Sequence, residues 1–263
     1  MKKIYLLFAA AVMLTACGDD AASSAPENVN GSSTTELSSA TDLEKSSDSK
    51  INSNISSSST YKEPEDSDHF VDARDGRKYK IAHLFSQSWM AENLKATKYS
   101  DGTDIPNVTS NYGWYDQISD AYCWYDNDPD IGNTYGALYN WYAVNTGKLC
   151  PTGWHVPSDA EWTALTDYLG GKIFAGCKLK EAGTVHWNSP NTGATNETGF
   201  TALPGGGRGY EGKFNSIGGG GYWWCATEYH TNAWLRYMYY YSGNVYRSNH
   251  GKENGYSVRC VRD

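Results

Sequence analysis

Cys150-Pro-Thr-Gly-Trp-His-Val-Pro-Ser-Asp-Ala-Glu-Trp-Thr-Ala-Leu-Thr-Asp-Tyr-Leu169 decides the fold. Pro157 keeps a helix from starting earlier, because the residue before a proline is pushed out of the α region. Ser158 is a natural N-cap, and Glu161, three residues on, completes a capping box. Asp159 and Glu161 place negative charge at the positive end of the helix dipole. Trp162, Leu165 and Leu169 recur at helical spacing and form one apolar stripe. Gly170 and Gly171 follow where a left-handed stop is needed. The stretch predicts a helix over 158–169, its Trp162 face buried against a sheet.

Outward from this helix the pattern is mixed. On the N-terminal side, Phe70 to Ala82 reads as a hairpin closed on Asp75-Gly76. Ser88-Trp-Met-Ala is a third strand. Residues 95–134 read mostly as loop, with Asp101-Gly102, Pro106 and Gly113 as turn signals. Gly136 to Val144 is a predicted helix. On the C-terminal side a short helix is expected over Phe174–Glu181, then a long Gly/Asn/Thr/Pro-rich loop over 184–221. The tail reads as an antiparallel meander over 222–227, 233–241, 244–248 and 255–262. In Trp234-Leu-Arg-Tyr-Met-Tyr-Tyr-Tyr241 alternate positions face opposite ways. Two main helices, long loops and a terminal meander make an α+β fold.

The N-terminus is a targeting signal. Lys2 and Lys3 precede Ile4–Ala16, an apolar run too short to span a bilayer. Residues 1–16 are expected to be a signal peptide. Leu14-Thr-Ala-Cys17 resembles a lipobox, which implies lipidation at Cys17 and anchoring worth about 0.8 kcal/mol per buried CH₂. Gly18, by the enterobacterial sorting rule it resembles, points to the outer membrane. Residues 17–66 are the lipidated cysteine and a disordered tether. Residues 21–60 hold 14 Ser and no aromatic, too little apolar surface to offset the entropy of ordering. As a flexible coil such a tether reaches on the order of 35–40 Å. The globular domain occupies 67–263.

Several pieces resemble one family. Besides Cys150 to Trp162, they are Trp89-Met-Ala-Glu-Asn-Leu94, Tyr135-Gly-Ala-Leu-Tyr-Asn-Trp-Tyr-Ala-Val144 and Thr198-Gly-Phe-Thr-Ala-Leu-Pro-Gly-Gly206. Gly221-Tyr-Trp-Trp-Cys-Ala-Thr-Glu228 and Ser257-Val-Arg-Cys-Val-Arg-Asp263 complete the set. In this order they resemble the Fibrobacter succinogenes major paralogous domain across nearly all of 68–263. The resemblance implies a bacterial lipoprotein or secreted protein, and no defined reaction. The element order also resembles the C-type-lectin-like fold and its relative in sulfatase-modifying enzymes, where the last strand closes beside the first. That analogy carries no function by itself.

Apart from Cys17, five cysteines remain. Export places them in an oxidising compartment, and an odd count leaves one unpaired within the chain. Cys150–Cys260 is expected to tie the start of the central helix to the last strand. The family commonly has other small residues where Cys177 and Cys225 stand, so these two departures are expected to pair. Cys123 is then the buried free thiol. No Cys-x-x-Cys occurs, against a zinc ribbon or thioredoxin-like site.

The candidate chemistry is sparse. His155 is read as bonding loop backbone and Glu161 as a cap. His186, His230 and His250 are scattered, and nothing in the sequence brings Glu181 to Glu228 for glycoside cleavage. Asp126, Asp128 and Asp130 alternate as in calcium loops, but Pro129, a late Gly132 and no twelfth-position Glu exclude an EF-hand. A Ca²⁺ site there stands against a solvated Asx-rich turn. Neither Glu-Pro-Asn nor Gln-Pro-Asp, the tripeptides of calcium-dependent lectins, occurs. Gly205–Gly209 and Gly218–Gly221 lack the Lys-Ser/Thr of a phosphate loop. Cys225 and Cys260 do not match the cysteine spacing of sulfatase-modifying enzymes.

Ten Trp and 21 Tyr are the compositional anomaly. Aromatics offer flat apolar faces with a polar handle, and Trp114, Tyr115, Trp124 and Tyr125 cluster as candidate ligand-binding residues. A formal charge of −8 argues against nucleic acid or anionic lipid as partner. The expectation is a lipid-anchored envelope protein, without catalysis or a cofactor, carrying a module that binds glycan or another extracellular polymer. The alternatives are a structural or protein-binding surface module and, behind it, an enzyme on the sulfatase-modifying scaffold.

Overall fold

The computed structural model describes residues 68–115 and 117–263. The expected signal peptide, Cys17 and the tether lie outside the described residues. The fold is mixed α+β, mostly sheet with a few short helices. Among the described residues no helix is long and apolar enough to cross a membrane.

The first sheet begins with β1 (His69–Val71), β2 (Lys78–Leu84) and β3 (Gln87–Met90), all antiparallel. Gly76 takes φ 72° in the first turn, as the Asp75-Gly76 pair predicts. Arg74 closes that turn on Asp72 (Nη2–Oδ2 2.7 Å) and donates to the carbonyls of Lys98 and Leu149, both at 2.8 Å.

The middle of the chain is less loop-like than its turn signals suggest. It holds α1 (Asn111–Trp114), β4 (Tyr122–Cys123) and α2 (Pro129–Tyr135). The predicted helix over Gly136–Val144 is instead β5 (Leu138–Tyr139), paired with β4, followed by α3 (Trp141–Asn145). Asn140 makes the break, its Oδ1 accepting from Ala143 N at 3.1 Å as the true N-cap. Next come β6 (Trp154–His155) and the central helix α4 (Asp159–Tyr168), with the Ser158–Glu161 capping box complete. Trp162 and Leu165 are buried on its inner face. Helix α5 is Ala175–Leu179.

The second sheet has five strands. Its meander is β9 (Gly220–Tyr229), β10 (Asn232–Tyr239) and β11 (Tyr246–Gly251). The expected long loop over 184–221 contributes β7 (Gly205–Arg208), parallel to β9, and β8 (Phe214–Ile217). Glycine lets these strands close up: a Cβ on Gly206 (φ +63°) would lie 2.4 Å from Asn215 O.

The fourth expected meander strand touches that sheet only through isolated bridges, Gly255 to Arg208 and Ser257 to Trp223. Tyr256 and Ser257 bridge to Tyr139 and Trp223, and the chain then enters the first sheet as β12 (Val261–Arg262). There β12 lies between β3 and β6, so the first sheet runs β1-β2-β3-β12-β6. Cys150–Cys260, with Cα atoms 6.0 Å apart, forms as expected.

Two apolar clusters sit on either side of this seam. One gathers Trp162, Leu165, Trp89, Trp223, Met238 and Val261. The other gathers Tyr79, Leu94, Tyr139, Trp224, Leu235 and Cys260. Trp162 meets Trp89 edge-on at 5.0 Å, a geometry favoured by the ring quadrupole.

Three buried cations fasten the loops that lack a ladder. Arg208 lies between the rings of Trp114 and Phe214 and donates to Val108 O, Thr109 O and Gly212 O. Arg259 reaches Met90 O, Phe200 O and Thr201 O. Lys180 Nζ donates to Thr192 O at 3.1 Å, Tyr239 O at 3.3 Å and Ser242 O at 2.8 Å. A buried charge is tolerated only when its donors are taken up in this way.

Candidate functional site

The site grows from β10. Leu235, Tyr237 and Tyr239 face one way, Arg236 and Met238 the other, a strict period of two past the bulge at Ala233–Leu235. Tyr237 stands opposite Tyr222 on β9 and Tyr246 on β11, so one row crosses three strands. Tyr237 stacks on Tyr246 (5.0 Å, 9°) and on Tyr222 (5.8 Å, 28°), and Tyr222 stacks on Tyr256 (5.2 Å, 23°). In the next row Tyr239 stands opposite Gly220, where a Cβ would lie 3.1 Å from its ring. Tyr239 stacks on Tyr241 (5.1 Å, 15°).

Burial falls along this set. Tyr256 and Tyr222 are buried, Tyr237, Tyr239 and Tyr246 are half-buried, and Tyr241 is 55% exposed. Two hydroxyls are fixed: Tyr256 OH lies 2.7 Å from His250 Nδ1, and Tyr246 OH donates to Ser242 Oγ at 3.0 Å. Burial and neighbouring tyrosines push the Tyr237, Tyr239 and Tyr241 phenols upward, so all are neutral at ordinary pH. Burial lowers the His250 pKa. The result is an uncharged face of ring edges and hydroxyls, with Tyr241 at its open end. Lys180 underpins the rim, because it holds the Tyr239 and Ser242 carbonyls; burial lowers its pKa to about 8.

Of the four aromatics singled out from the sequence, Trp114 and Tyr125 are core. Trp114 donates Nε1–H to Glu253 O at 2.9 Å beneath Arg208, and Tyr125 packs on Phe214 at 5.2 Å. Trp124 is half-buried against Gly132, where a Cβ would lie 2.2 Å from its ring. Tyr115 alone is exposed, 6.5 Å from exposed Tyr210. Arg208 and the tight glycines pull the other rings inward, which local sequence does not show.

The expected calcium set is not brought together. Asp128 is the N-cap of α2, accepting from Asp130 N at 2.9 Å with Pro129 at the first helical position. Among the described residues no three His, Cys, Asp or Glu side chains are placed to hold a metal ion. Glu181 pairs with His186 and Glu228 with Lys252. His155 bonds carboxylates rather than loop backbone, Glu161 Oε1 at 2.9 Å and Asp263 Oδ1 at 2.5 Å.

The expected disulfide Cys177–Cys225 does not form, and Cys225 is a free, buried thiol. Ala175 and Leu179 of α5 face the cluster that holds Cys225. Cys177 is itself disulfide-bonded and so is not available to Cys225. Cys225 Sγ instead lies 3.8 Å from Arg236 Nη1. Cys123 is free and buried, as expected. Burial pushes both thiols up to about 12, the protonated and unreactive form.

The sequence profile of the Fibrobacter succinogenes major domain matches residues 83–262. The chain belongs to this family. No curated protein and no solved structure matches it. In this Fibrobacter succinogenes major domain the matched span opens inside β2 and closes inside β12. It takes in the whole tyrosine face and both partners of Cys150–Cys260, and leaves out β1.

Proposed function

We propose that this domain is a non-catalytic binding module of a lipid-anchored envelope protein, holding a glycan or another extracellular polymer on its tyrosine face. The observation that carries this reading is the surface run of Tyr237, Tyr239, Tyr241 and Tyr246. Rings stacked on one another turn edges and hydroxyls outward, while Tyr241, stacked on Tyr239 and perpendicular to Tyr240, remains 55% exposed. A sugar ring has the matching character, apolar C–H faces bordered by hydroxyls. The outer-membrane or surface location rests on the lipobox-like Leu14–Cys17 and Gly18. A C-type-lectin-like fold is supported by the placement of the last strand in the sheet of the first, and it carries no function by itself.

A protein-binding reading is favoured by one feature. Phe85 is 66% exposed at φ 57°, a costly position for a bulky residue, and contacts exposed Tyr168 at 5.1 Å.

The test is retention on insoluble plant polysaccharides and a soluble neutral-glycan panel, followed by tryptophan fluorescence. Saturable binding weakened about tenfold by Tyr241→Ala, from the ~1.5 kcal/mol of one aromatic contact, is the expected result. Absence of binding by the folded domain, or binding indifferent to Tyr241→Ala and Tyr239→Ala, overturns it. Loss of protein capture in Phe85→Ser would then favour the second reading.

A further inference from the structure

On the side of the second sheet away from the tyrosines, a cleft of about 440 Å³ lies between the end of α4 and strands β10 and β11. Its wall is apolar: Ile173 and Phe174, 52% and 46% exposed, with Val245 beside them. Its polar side is cationic, although the chain as a whole carries −8. Arg236, Arg247 and Lys172 line it, with Asp167 as the lining carboxylate.

The pairing leaves positive charge over. Asp159 takes both arginines, Arg236 Nη1 at 2.7 Å and Arg247 Nε and Nη2 at 2.8 Å each. Arg236 is buried and its other amino group is used by Thr163 and Asp159 O. Arg247 is different. Its guanidinium lies 3.4 Å from the Trp234 ring centroid, its side chain is 47% exposed, and its Nη1 has no hydrogen-bond partner among the described residues. Lys172 has no ion-pair partner among them either. The helix end adds little negative potential. The carbonyls of Leu165, Thr166 and Asp167 are capped by Leu169 N, Gly171 N and Gly170 N.

We propose that this cleft is a second binding site, for a carboxylate-bearing sugar ring such as a uronate. The carboxylate meets Arg247 Nη1 and the Lys172 ammonium, and the ring lies on Phe174, Ile173 and Val245. An arginine held by a bidentate carboxylate and an indole is pre-oriented, so little side-chain entropy is lost on binding. A bare phosphate would use the cations but leave the apolar wall wet. The site is independent of the tyrosine face, which offers no charge.

The test is calorimetric titration of the full chain with D-glucuronate, D-glucose and inorganic phosphate at low and high salt. Glucuronate should bind saturably and weaken with salt. Glucose should bind at least about tenfold more weakly, from the loss of both charge-assisted contacts. Arg247→Gln and Lys172→Gln should each lose the preference for glucuronate over glucose, and Tyr241→Ala should keep it. Lys172→Gln leaves the Asp159 pairing intact, so it reports on the site even where Arg247→Gln lowers the Tm. Failure of glucuronate to bind, equal binding of glucose, or phosphate bound as tightly as glucuronate overturns the proposal. Loss of neutral-glycan binding alone bears on the tyrosine face and leaves this site untouched.

Discussion

Asn93 Oδ1 accepts the Arg259 Nε proton at 3.0 Å, deep between the two sheets. The same oxygen takes Trp223 Nε1 at 2.8 Å, while Asn93 Nδ2 donates to Tyr135 O at 2.7 Å and Ser257 Oγ at 3.3 Å. One amide thereby joins β9, the end of α2 and the segment that leads into β12. Asn93→Leu should lower stability by about 2–5 kcal/mol, because it leaves the buried Arg259 Nε–H and the Trp223 indole N–H without an acceptor. Urea unfolding checks this; a loss below about 1 kcal/mol would mean the network relaxes around the gap.

Cys150→Ser should cost about 2–5 kcal/mol, since Cys150–Cys260 closes a separation of 110 residues. Reductant should lower the Tm of the parent protein by more than it lowers that of Cys150→Ser. Cys123 and Cys225, buried and protonated, should react with a thiol reagent only as fast as the domain opens.

Gly206→Ala should destabilise by more than about 1 kcal/mol. Its φ is +63°, and the new methyl would sit against Asn215 O and Ile217 N. Gly153→Ala shares the backbone strain (φ +81°) but meets nothing within 4 Å, so it should cost less. Equal Tm values for the two variants would contradict the packing argument.

Burial alone would lower the His155 pKa, but hydrogen bonds to Asp263 and Glu161 outweigh it and raise the value. Burial opposes Glu161 ionisation, yet Ser158 and His155 hold its pKa below the usual value. A raised histidine contributes fully below its unfolded pKa of about 6.5 and loses that contribution as pH rises through the folded value. A lowered glutamate contributes above about 4.5 and loses it as pH falls. The pair should therefore stabilise most between about 4.5 and 6.5. The Tm gap between parent and His155→Gln should be widest there and shrink by pH 8. A gap that is flat from pH 5 to 8 would mean that the ion pair contributes nothing.

Local rules made the central helix readable. Proline, Ser158, Glu161 and the glycine pair all act within a few residues of one another. The first hairpin was readable for the same reason, and so was the alternation along Trp234–Tyr241. Tyr237, Tyr239 and Tyr241 stand at every second position, so the face could be seen, but its continuation through Tyr222 and Tyr246 depends on register across strands. The Trp114–Tyr125 stretch misled because exposure there is set by Arg208, far away in sequence, whose guanidinium draws rings and loop carbonyls inward. Asn140 ended the helical reading of Gly136–Val144, and its capping chemistry was legible beside Gly136. The placement of β12 was not, since a two-residue strand carries no periodicity.

The position of β12 also bears on how the chain is made. A polypeptide delivered N-terminus first, from a ribosome or through an export channel, presents β3 and β6 long before the strand that belongs between them. Until Val261 arrives the gap stays open, and the cysteine beside it has no partner to oxidise with. Completion of the sheet thus waits for release of the chain, and the last two residues of the matched span act as its latch.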